Sequence, residues 1–175
     1  MEQFALYCWL KQVIEGIDEN SFFSQISYNN VNKYLMNDAN NMQNQVGVYI
    51  HGGNGQYRDL GTGVRSGFDD RVQLLMICNS INNNDLQMQK IGMKLKRKFD
   101  QTFGVSEQID IEDGGVYKNN DDIDIIEFND DTDVNTLEKV SISISSIECG
   151  ALNYVGLSDE GQVIYSINMS VYYYI

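Results

Sequence analysis

The chain has 175 residues, 42% of them hydrophobic, a formal net charge of −13 and no proline. That length is one domain with room for a sizeable core, and the hydrophobic content lies outside the disordered class. The acidic balance argues against a general nucleic-acid binder, which should be basic, and no apolar run reaches the roughly 18 residues of a membrane span. Met1-Glu2-Gln3-Phe4 offers no basic n-region or cleavage site, so a soluble protein made in the cytoplasm is expected. Cys8, Cys78 and Cys149 are odd in number and widely spaced. They support neither a disulfide framework nor a zinc site, and they read as reduced, small hydrophobes.

In chain order, Phe4, Tyr7, Leu10, Ile14 and Ile17 recur at three- and four-residue spacing, which predicts a helix over Gln3 to Ile17. Ser21 to Asn44 is Asn- and Ser-rich and reads as irregular, with one short element near Val31 to Met36. Val46, Val48 and Ile50 alternate with Gln45, Gly47 and Tyr49, a strand. The glycines from Gly52 to Gly63 predict a loop. Arg71 to Cys78 is mostly apolar and reads as a central strand. Asn82 to Asn84 offer helix caps, and Met88, Ile91, Leu95 and Phe99 form the stripe of a helix running to Asp100. Lys90, Lys94, Arg97 and Lys98 lie mostly off that stripe.

From Glu107 to Glu138 twelve acidic residues accompany one lysine, Lys118. The alternating runs Gln108 to Glu112 and Ile123 to Phe128 flank Asp113-Gly114-Gly115. Together they predict an acidic β-hairpin or long loop inserted at about 105–138. Ser141 to Ile147 alternates Ser with Ile, and Asp159-Glu160-Gly161 turns into a last strand from Val163 to Ile175. On that strand Val163, Tyr165, Ile167, Met169, Val171, Tyr173 and Ile175 share one face. The expected fold is a single α+β domain over 1–175: an antiparallel sheet with two helices on one face, plus the acidic insertion.

No catalytic signature emerges. The lone His51 lacks a partner nucleophile, because Ser66 in Gly63-Val64-Arg65-Ser66-Gly67 sits one place too late for a nucleophile elbow. The glycines lack the Gly-Lys-Ser/Thr of a phosphate loop and lead into a strand. Asp131-Thr132-Asp133-Val134-Asn135 begins like a calcium loop, but Thr136 stands where the turn needs glycine and Glu138 comes too early. Asp121, Asp122, Asp124 and Glu127 form a sequence-local run, and a two-metal site needs carboxylates from separate elements. No catalytic residue, cofactor or metal is therefore expected. The alternative of another class, a metal-dependent hydrolase using the acidic segment, would require those carboxylates to converge.

The order of elements carries more. Val46-Gly47-Val48-Tyr49-Ile50-His51-Gly52-Gly53, then Asp59-Leu60-Gly61, then Val72-Gln73-Leu74-Leu75-Met76 and a helix, resembles the tail terminator proteins of long-tailed phages. The closing stretch from Ser158 to Tyr173 is similar to the same family's turn and aromatic-rich last strand. The resemblance covers Val46 to Phe103 and Val140 to Ile175. It implies a hexameric ring at the head–tail junction of a virion that ends tube polymerisation, meets the tail tube protein and a head-side connector or stopper, and lets genomic DNA pass unbound. A tail tube or other connector-layer protein is the related alternative. Such a ring needs heterologous, closing contacts. The sequence offers a candidate subunit interface in Lys90, Lys94, Arg97, Lys98, Gly52, Gly53 and Arg58. It offers a candidate acidic channel or interface segment in Asp121, Asp122, Asp124, Glu127, Asp130, Asp131 and Asp133.

Overall fold

The computed structural model describes residues 2–28, 44–57, 67–79, 84–111, 117–118, 124–126, 138–157 and 161–174. Helix α1 (Glu2–Ile17) is followed by β1 (Gln25–Tyr28), β2 (Gln45–Tyr57) and β3 (Gly67–Asn79). Helix α2 (Asn84–Asp100) leads to β4 (Phe103–Ile111), β5 (Tyr117–Lys118), β6 (Asp124–Ile126), β7 (Glu138–Leu157) and β8 (Gln162–Tyr174). Six strands form one sheet in the order β1-β2-β3-β8-β7-β4, and β5 and β6 form a separate antiparallel pair.

The antiparallel α+β expectation is corrected in two respects. The described residues are mostly strand, and the sheet is mixed and curled into a half barrel. The parallel step is β1 on β2, with Ile26 opposite Val46 and Tyr28 opposite Val48. The connection from 29 to 44 is long enough for a parallel return. Reading Ser21 to Asn44 as irregular missed β1, which is only four residues long. The element placed near Val31 to Met36 lies outside the described residues.

Helix α1 explains the curl. Every side chain from Phe4 to Leu10 is buried, so this helix is apolar on all sides and needs walls on all sides. The Tyr7 hydroxyl donates to the Ile26 carbonyl of β1 at 3.1 Å, and Trp9 Nε1 donates to Glu107 Oε2 of β4 at 3.0 Å. β1 and β4 are the two ends of the sheet. One helix thus holds both ends, and Phe4, Tyr7 and Tyr28 stack beside it. After α1, the Asp18 carboxylate accepts the backbone N–H groups of Phe22 and Phe23 at 2.7 and 2.9 Å, fixing the turn into β1.

The last strand follows its alternation in part. Val163, Tyr165, Ile167, Met169, Val171 and Tyr173 are buried, but so are Gln162 and Ser166 on the opposite face, and Ile175 lies outside the described residues; β8 lies between β3 and β7. Met88, Leu95 and Phe99 of α2 join the same core. Gly92 also faces inward: a Cβ there would meet Leu152 side-chain carbons at 2.8 and 2.9 Å. That close approach seats α2 against β7.

Two further expectations change. The Gly-rich bend is partly strand, because β2 runs on through Gly52 to Tyr57 against β3, absorbing a register shift between Gly52 and Gly55. Glycine permits such a bulge without ending the ladder. The run beginning at Gln108 pairs with β7, Ile109 opposite Val140, and not with Ile123 to Phe128.

Truncating Ile167 to Ala should cost about 2–5 kcal/mol and Trp9 to Ala about 3–5 kcal/mol, because both are core positions without space to collapse. Urea midpoints at constant m-value check this. Met169→Asp places a charge in the core, and soluble, normally folded protein from that variant would reverse the assigned face of β8.

Candidate assembly interface

On α2 the outward stripe is Leu86, Lys90, Met93 and Arg97, opposite the buried Met88, Gly92, Leu95 and Phe99. Leu86 and Met93 are 52% and 57% exposed. Lys94 and Lys98 flank the stripe and are exposed too, so the four cations singled out in the sequence share one solvent-facing surface. Lys96, which that reading did not single out, is half-buried and bonded to the Asp100 carboxylate at 2.7 Å. That i,i+4 bond helps raise its pKa and takes Lys96 out of the free cationic set.

The helix packs on β7 at Gly92 and is pinned at its start to Tyr165 of β8. At its first turn Asp85 Oδ1 accepts the Tyr165 hydroxyl at 2.7 Å, and Gln89 Nε2 donates to the same hydroxyl at 2.9 Å. Burial, then the Asp85 bond, raises the Tyr165 pKa, keeping it a neutral donor. At its last turn the Thr102 hydroxyl donates to the Lys98 carbonyl at 2.8 Å, and Gly104 takes a φ of 61° as the chain turns into β4.

The other named residues scatter. His51 is exposed on β2 and not in a loop, and it belongs to a cross-strand row with Arg71, Ser170 and Glu148. The row borders an open cavity of about 440 Å³ that Gln73 and Asn168 also line. Two strand spacings, about 10 Å, separate Arg71 from Glu148. Gly52 continues β2 beside Gln3 of α1, and Gly53 follows it on the same strand. Arg58 lies outside the described residues. So do Asp121, Asp122, Glu127, Asp130, Asp131 and Asp133, while Asp124 opens β6 opposite Lys118. Among the described residues no group of three His, Cys, Asp or Glu side chains is placed to hold a metal ion.

Sequence reasoning missed the edge of β7. β4 pairs with β7 only from Glu138 to Ser146. Among the described residues nothing pairs with the Ile147–Leu157 stretch on that side, and β8 covers only the other. Natural edges are defended with charges and proline. This one carries a single charge, Glu148, and exposes Tyr154, Val155 and Leu157 at 60%, 56% and 61%. The signal was available: after Ile147 the sequence runs to Leu157 with no other charged residue.

Cys8, Cys78 and Cys149 are not joined in disulfides. Burial, with Asp85 adding to it, pushes Cys78 up to about 12, and burial with Asp100 pushes Cys149 to about 11. No described helix is long and apolar enough to cross a membrane. No family model matches the chain, and no curated protein matches it. A solved protein chain without a functional description superposes with a TM-score of 0.44 at 10% identity, covering 99% of this chain and 94% of its own. A superposition at that level carries no functional argument.

A raised thiol pKa keeps Cys149 protonated, and so unreactive, until the pH nears 11. Its alkylation rate should climb about ten-fold per pH unit through pH 9–10 with no plateau near 8.5, and Asp100→Asn should move the midpoint down. A plateau by pH 9 would contradict this assignment.

Proposed function

We propose that the chain is a structural virion protein, a tail terminator or head–tail joining subunit that assembles into a hexameric ring at the head-proximal end of a phage tail. The observation that carries the assembly half of this reading is the β7 edge, which among the described residues has no strand partner beyond Ser146 and exposes three apolar side chains where a monomer would place charge. The outward face of α2 supplies a second, cationic surface on an acidic chain. Two unlike surfaces suit head-to-tail contacts, the kind that close a ring. The virion half rests on the resemblance of Val46 to Phe103 and Val140 to Ile175 to tail terminators. In such a ring the net charge of −13 would repel DNA phosphates, letting the genome pass without adhering. The proposed neighbours are the tail tube protein on one side and a connector or stopper on the other.

Mass determination in solution, with negative-stain microscopy, tests the reading. A closed particle of six chains, which stops the growth of tube protein when added to it, is the expected result. A monomer at every concentration, or an open filament of tube-like length, would overturn it, the filament in favour of a tube protein. Val155→Lys with Leu157→Lys should weaken association while shifting monomer stability by no more than about 0.5 kcal/mol, since both positions are exposed. Unchanged assembly in that variant would place the contacts elsewhere.

A further inference from the structure

We infer that the outward face of α2 is the docking site for the acidic segment of a second copy of this chain, residues 112–137. This rests on the assembly reading above and names the contact.

Three observations lead there. The first is charge. The α2 face carries Lys90, Lys94, Arg97 and Lys98 on a chain whose net charge is −13. From Asp121 to Asp133 the chain holds seven acidic residues and no basic one: Asp121, Asp122, Asp124, Glu127, Asp130, Asp131 and Asp133.

The second is the mixture of apolar and charged groups. Leu86 and Met93 stand exposed among the cations. Ile123, Ile125, Ile126 and Phe128 stand among the acids. A purely solvated face gains nothing from exposed Leu and Met, whereas an apolar–cationic surface and an apolar–acidic segment match in both respects.

The third is position. Helix α2 runs beside β7 from Tyr154, near Tyr165 and Asp85, down to Ser146, which is opposite Phe103. Its 17 residues span about 25 Å, and the same stretch of β7 spans about 26 Å, so the two are matched in length. From Phe103 the β4–β7 ladder continues another eight β7 residues, to Ile111 opposite Glu138, roughly 26 Å further from the helix. The acidic segment joins those two ends. It therefore leaves the sheet at the end remote from α2, with β4 heading away from the helix. The middle of its own α2 lies roughly 40 Å back along the sheet. A neighbouring copy placed head to tail brings the two surfaces together without that reversal.

The test mixes equal amounts of ¹⁴N- and ¹⁵N-labelled full-length protein and joins touching carboxylates and amines with a zero-length carbodiimide. Mass spectrometry then reads which peptides are linked. Links between Lys90, Lys94 or Lys98 and acidic residues of 112–137, half of them mixed-isotope pairs, are expected. Same-isotope pairs alone would put the segment on its own helix and overturn the inference, as would the absence of such links. Lys94→Glu with Arg97→Glu should weaken self-association roughly ten-fold or more at unchanged melting temperature. Asp122→Lys with Asp124→Lys should do the same, and the four changes together should restore association. Failure of the combined variant to recover would count against direct contact. The outcomes separate from those of the ring reading. A closed hexamer without these mixed links overturns the contact and leaves the ring. An open filament with them overturns the terminator and leaves the contact.

Discussion

The structure depends on a helix that cannot be left wet on any side. From Phe4 to Leu10, α1 presents apolar groups around its whole circumference. A flat sheet covers one side of a helix only. Covering the rest requires the sheet to bend until its outermost strands, β1 and β4, both reach the helix, and Tyr7 and Trp9 bond to each in turn. The curl and the short β1 follow from that demand, while the parallel direction of β1 is allowed by the long connection into β2. β1 needs only four residues because its role is to close one flank. It also makes the fold cooperative, since opening either end of the sheet exposes the same helix.

The elements legible in the sequence were those whose side chains answer to one neighbour at a time. β8 alternates in its sequence because it sits mid-sheet with helices on one face, so Ile167 and Asn168 report opposite environments, although Gln162 and Ser166 on the outer face are buried too. The α2 stripe reads at helical spacing for the same reason. β1 was hidden by its brevity and by the Asn- and Ser-rich context. β2 was truncated at Gly52 because glycine signals a bend, whereas here it makes a bulge and the ladder resumes. Gly92 was invisible as a contact, since a missing side chain shows only when the neighbour is known.

At the candidate interface the sequence showed the chemistry and not the placement. The cations of α2 were identifiable from their spacing off the stripe, and they do share one surface. Lys96 differs from them only through Asp100, four residues on, which a pattern of apolar positions does not weigh. His51 was read with the glycines, yet it stands in a strand beside Arg71. The β7 edge left a trace in the sequence, a stretch from Ile147 to Leu157 with Glu148 as its one charge, but that trace does not show that the strand lacks a neighbour there, which depends on where β4 begins and ends.

β7 holds a further consequence. By register its core-side residues are Ile142, Ile144, Ile147, Cys149 and Leu152, continued on the same side by the exposed Tyr154 and Leu157, spaced alternately two and three apart. Three register shifts against a regular β8 produce that rhythm, each inserting a residue and restoring the same side to the core. The strand therefore has more contour length than its partner over the same ladder, and like the longer layer of a bonded strip it has to bow. Losing the extra residue at any one shift would make the ladder regular there and leave the pairing beyond it unchanged, so this strand can shorten by single residues at three places without turning its core side outward.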